Sequence, residues 1–155
     1  MVRFHKLSRF AQAEEVAHSY PPTYAFERMA NGADRLVAAV PGGDAEVLSR
    51  LASCLAGPYG VLYLLHTPRT NARPGRYQSP ALSKQQLSAF LERFADYLGG
   101  DARHDLWVHS PEERGTLVWD RHDLIFAYGP APGAAAQLTC APSSASPRAR
   151  NVVAP

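Results

Sequence analysis

Lysine is scarce in this chain: of sixteen basic residues only Lys6 and Lys84 are lysines, the remainder being arginine. GC-rich codons produce that skew, as in many bacteria, and it lowers the weight of any single arginine. Cysteine is scarcer than a bridged fold needs. Cys54 and Cys140 make no disulfide framework, and neither has a second thiol at metal-ligand spacing, so a reducing, cytoplasmic setting is expected. No apolar run reaches membrane-spanning length, and the amino terminus has charge but no apolar stretch of signal-peptide length; membrane insertion is not expected. A net charge of +2 gives no field suited to a polyanion, which argues against a nucleic-acid binder. GxSxG, GxGxxG and GxxxxGK[ST] are all missing, so neither a nucleophile elbow nor a nucleotide cradle is legible, and no cofactor is expected.

What is present fits one ordinary globular unit. A chain of 155 residues with 46% hydrophobic content is long enough to bury a core unaided. Residues 1–129 are expected to form one α+β domain. The remainder, 130–155, is rich in Ala, Pro and Ser, lacks acids and apolar periodicity, and reads as a disordered tail, or as an out-of-frame terminus.

Two helices are clear. Asp44 begins one whose stripe is Val47, Leu48, Leu51 and Leu55, ending at Gly57 and Pro58, with Cys54 a small residue beside the stripe. Ser83 and Gln86 form a capping box for another, carrying Leu87, Phe90, Leu91, Phe94, Tyr97 and Leu98 on one face, with Gly99 and Gly100 as its stop. Further helices are expected around 8–19 and 23–31. Residues 35–40 and 59–67 are continuous apolar runs, the pattern of strands buried on both faces. DLWVHS, TLVWD and LIFAYG are joined by connections too short for anything but an antiparallel meander. The order β-α-β-α-βββ then predicts a mixed sheet of about five strands, with strands joined through helices lying parallel through right-handed crossovers.

That topology selects the candidate site. Parallel strands 59–67 and 105–110 would bring His66 and His109 to one carboxyl edge, joined by Ser110, Tyr128 and the loop arginines Arg69, Arg73 and Arg76. The stretch HTPRTNARPGRYQSP has three arginines, three prolines and no carboxylate, within a carboxylate-free span from Glu46 to Glu92. Guanidinium forks suit a carboxylate or phosphate, and histidine transfers protons near neutral pH. The expected function is a non-enzymatic protein that binds a protein partner or small anionic ligand through this loop and the adjacent sheet edge; an oligomer is compatible with it. The alternative is a small hydrolase or transferase using His66 and His109, or a weak metal site at Asp120, His122 and Asp123, with His104 and Asp105 nearby. Aspartates around that turn equally serve its own hydrogen bonds, so no metal is assigned. Trp107 and Trp119 are read as facing residues of the meander.

Overall fold

A computed structural model describes residues 6–11 and 14–129, the side chains of 9–15 excepted. The expectations about 130–155, and Cys140 with them, lie outside the described residues. The chain is an α+β domain built on one antiparallel sheet of seven strands. In chain order the elements are the hairpin β1 (Ser8–Ala11) and β2 (Glu14–Ala17), β3 (Tyr24–Arg28), β4 (Asp34–Ala39), α1 (Ala45–Ser53), β5 (Gly60–Leu65), β6 (Gly75–Gln78), α2 (Lys84–Arg93), α3 (Ala95–Gly100), β7 (His104–Ser110), β8 (Gly115–Trp119) and β9 (Leu124–Tyr128). The large sheet runs β3-β4-β9-β8-β7-β5-β6, so β8 is its middle strand.

Local chemistry accounts for the helices. The Asp44 carboxylate accepts the Glu46 amide and opens α1, and Ser83 with Gln86 closes a reciprocal capping box on α2. The second helix is not one continuous rod. Phe94 leaves helical geometry, and α3 begins anew at Ala95 and contains the two glycines expected to stop it. Gly99 instead serves close approach: a Cβ there would lie 2.1 Å from the carbonyl oxygen of Gly43, so the two backbones touch where larger residues could not fit.

Three expectations about strands are corrected. Where helices were expected around 8–19 and 23–31, the described residues 8–11, 14–17 and 24–28 are strands, and β3 pairs with β4 through a turn in which Gly32 takes φ 78° and the Asn31 side chain accepts the Ala33 amide. Residues 75–78, inside the arginine-rich stretch, form an edge strand on β5. The sheet is purely antiparallel, so the mixed five-strand arrangement does not hold. Strands 59–67 and 105–110, expected to be parallel, pair antiparallel. Because β6 reverses the chain, the α2–α3 connection joins β6 to β7, which do run in the same direction but are separated by β5. β4 and β5, joined through α1, also share a direction, with three strands between them.

The helices pack on one face only. Leu48, Leu51, Leu87, Leu91 and Leu98 from them meet Leu36, Val61, Leu106, Val108, Leu117, Trp119 and Ile125 from the sheet in one buried cluster. The carboxy-terminal meander β7-β8-β9 forms as the sequence leads one to expect, and no described helix is long and apolar enough to cross a membrane.

Candidate functional site

Antiparallel pairing of β5 with β7 takes the expected constellation apart. Leu65 lies opposite His104 and Gly60 opposite His109, so His66 and His109 stand at opposite ends of β7, about 20 Å apart along a strand rising ~3.4 Å per residue. At the first end, His66 Nε2 lies 2.8 Å from Asp105 Oδ2, and Asp105 Oδ1 accepts the Arg121 amide at 2.9 Å. Arg69 is committed there too, its guanidinium pairing with the buried Asp101 carboxylate at 3.1 Å. At the other end, His109 Nδ1 contacts the Thr116 hydroxyl at 2.9 Å, Tyr128 accepts from Arg35 at 3.1 Å, and the buried Ser110 hydroxyl donates to the Ala56 carbonyl at 2.6 Å. Ser110 therefore ties the strand to the α1–β5 connection and offers no nucleophile to solvent.

The Asp120, His122 and Asp123 group is a turn with its own hydrogen bonds. Asp120 Oδ1 accepts the amides of His122 and Leu124 at 2.9 and 3.0 Å, and its Oδ2 lies 2.7 Å from His122 Nδ1. Asp123, at φ 57°, turns its carboxylate inward, where it accepts from Trp119 Nε1 at 3.2 Å and pairs with Lys6 at 3.4 Å. Among the described residues no three His, Cys, Asp or Glu side chains gather to hold a metal ion.

Below the sheet lies a buried polar group that sequence reading did not foresee. The Lys6 ammonium sits 3.8 Å above the Trp119 ring; its burial pulls its pKa down to about 8 against the opposing pull of Asp123. The same desolvation raises Asp123, so both partners shift toward their neutral forms. His104 is fully buried between the rings of Tyr63 and Tyr97, at centroid distances of 4.8 and 5.5 Å, and among the described residues neither ring nitrogen has a hydrogen-bond partner. Burial first, and then the Lys6 charge, hold its pKa down to about 4, a neutral imidazole at physiological pH. This cluster faces the core and is closed to a substrate.

The face turned away from the helices is the larger feature. The strand registers align Val37, Phe126, Val118, Trp107 and Leu62 in one row across β4, β9, β8, β7 and β5, continuing to Gln78 on β6. Leu64 and Leu124 flank the row, and Trp107 is 36% exposed. None of the three helices lies on this face. Trp107 and Trp119 are consequently not facing residues: Trp119 pairs with Leu106 in the core, while Trp107 pairs with Val118 on the open side. Arg76 stands on the open side of β6, opposite Leu64, and Arg73 precedes that strand; both side chains are exposed, and among the described residues neither makes an ion pair. A hollow of about 60 Å³ between α1 and α2, lined by Ser49, Tyr59, Lys84 and Leu87, is far below the 300–1,000 Å³ of small-molecule sites.

The chain matches no family model, no curated protein and no solved structure.

Proposed function

We propose that this protein is a non-catalytic binding module whose open sheet face and adjacent basic edge receive an acidic protein partner. The observation that carries the reading is the apolar row across five strands, which no helix covers among the described residues, beside two exposed arginines without an ion pair among them. Trp, Phe and Arg are the side chains that anchor interfaces, and a sheet face with this many apolar residues is stabilised by covering it. Arg73 and Arg76 add fixed positive charge at the rim, which steers an acidic partner and sets its register.

Catalysis by His66 and His109 together has no support in this arrangement, since no reacting centre reaches both ends of β7. The His66–Asp105 pair alone is an oriented imidazole without a nucleophile in the same set. The second reading, a small anion held by the loop, is narrowed to Arg73 and Arg76, because Arg69 is engaged by Asp101.

Capture from a lysate of the source cells, followed by titration with the identified partner, tests the proposal. Replacing Arg73 and Arg76 by Ala should weaken binding about tenfold or more and flatten its salt dependence, with little change in the unfolding midpoint. Affinity insensitive to both arginines and to Trp107 would reject it. A thermal shift with phosphate or small carboxylates, lost in the same double variant, would favour the second reading.

A further inference from the structure

The two edges of the seven-stranded sheet are built differently. The β6 edge is blunted: the strand is only four residues long and lies between Pro74 and Pro80, with Arg76 among the outward positions. The β3 edge is protected less: it too has an outward arginine, Arg28, but that one is neutralised by Asp34, and no proline directly adjoins the strand. Its five residues, YAFER, are all exposed and contain neither proline nor lysine. Thr23 and Met29 direct their backbone groups to β4, at 2.9 Å from Thr23 O to the Ala39 amide and 2.8 Å from the Met29 amide to Ala33 O. Strand alternation therefore points the amides and carbonyls of Tyr24, Phe26 and Arg28 outward. Their side chains share the face of Leu36, with Phe26 at 56% and Tyr24 at 37% exposure and their rings edge-to-face at 6.3 Å.

We infer that β3 is a homodimerisation edge, pairing antiparallel with β3 of a second copy about a two-fold axis through Phe26. The sequence of the edge is self-complementary under that operation. Phe26 meets Phe26 of the second copy, and Tyr24 meets Arg28 of the second copy in both halves, so a guanidinium covers a ring twice. No like charges oppose one another: Arg28 is neutralised by Asp34 of its own hairpin, and Glu27 on the other face by Arg35 at 2.7 Å and opposite an Ala25. The outward groups of three residues per copy make six backbone hydrogen bonds, and the sheet continues with seven strands from each copy. The surface used is distinct from the open face and from β6, so partner binding and dimerisation do not compete.

Sedimentation velocity of the full 155-residue chain from about 5 to about 500 μM, the range that suits an interface below ~1,200 Å², tests this. A concentration-dependent dimer is expected. Phe26→Pro, which removes an outward amide and no bond to β4, and Phe26→Lys should both sediment as monomer, while Arg76→Pro on the other edge should dimerise like the parent. Circular dichroism confirms that each variant is folded; if the proline variant is not, the lysine variant decides. A parent that stays monomeric throughout, a dimer indifferent to Phe26→Lys, or one abolished by Trp107→Thr or Arg76→Pro instead would overturn the inference.

Discussion

The two faces of the sheet carry each other's expected residues. The covered face buries Leu36, Leu106, Val108, Leu117 and Ile125, as it should, yet it also encloses Lys6, His104 and Asp123. The open face, which water reaches, presents Trp107, Phe126, Val37 and Leu62. Simple alternation of polar and apolar residues would have produced the reverse of both anomalies. Two continuous apolar strand sequences, RLVAAV and YGVLYLLHT, imply burial on both faces; the described helices supply it on one. The second covering is what the proposed partner provides.

Asp123 is where a substitution should cost the fold most. Asp123→Asn keeps a residue suited to positive φ and an acceptor for the Trp119 indole, but leaves the Lys6 ammonium buried without its counter-charge. A loss of about 3–5 kcal/mol in urea unfolding is expected, because breaking a buried pair costs more than the pair contributes. Lys6→Met combined with Asp123→Asn should recover most of it. The sign of the pH effect follows from Lys6, whose folded value of about 8 lies below its ordinary 10.5. Between those values the unfolded chain binds the extra proton, so this group makes stability rise with pH across that window. The double variant lacks that rise. A double variant as unstable as Asp123→Asn alone would show that the charge is not the cause.

His104 gives the next largest effect, in the opposite direction. Its two ring nitrogens are buried without partners, and a phenyl ring of similar shape stacks equally well between Tyr63 and Tyr97. His104→Phe should raise stability at pH 7 by about 1–3 kcal/mol. The parent's stability should also fall as pH drops from 6.5 toward 4, since the unfolded histidine takes up a proton that the folded one refuses, a difference of about 3 kcal/mol across the window. The Phe variant should lose that part of the slope. Urea midpoints at pH 7 and pH 5 measure both effects.

How much of this was legible depends on which interactions are local. The Asp44 cap, the Ser83–Gln86 box and the short turns of the meander are written within a few residues, and the sequence states them. The Asn31-Gly32 pair is an equally local hairpin signal, and it marks β3 where a helix was expected. β6 carries no such signal, being four residues of an arginine- and proline-rich stretch, and missing it reversed the inferred direction of β7. That single reversal separated His66 from His109 and brought His66 to Asp105. Register was out of reach as well. A one-residue slip moves a side chain to the other face, and it is why Trp107 and Trp119, both placed correctly in adjacent strands, do not face each other. Lys6 reaches Asp123 across the whole chain, and nothing near either residue announces the pair.

On the open face, substitution of Trp107 should have the smallest effect on the fold. A tryptophan at an equivalent position on the covered face would be indispensable; Trp119 there is fully buried. Trp107 is 36% exposed, and Thr suits the same strand position, so Trp107→Thr should cost only about 1–2 kcal/mol of stability. Partner affinity should nevertheless fall by about tenfold or more, because an aromatic anchor near the centre of an interface contributes out of proportion to its share of the area. Calorimetry against the captured partner, alongside urea unfolding, separates the two quantities. Unchanged affinity would make Trp107 an ordinary structural residue and would remove the open face from the proposed interface; affinity lost with the fold intact assigns the apolar row to the partner.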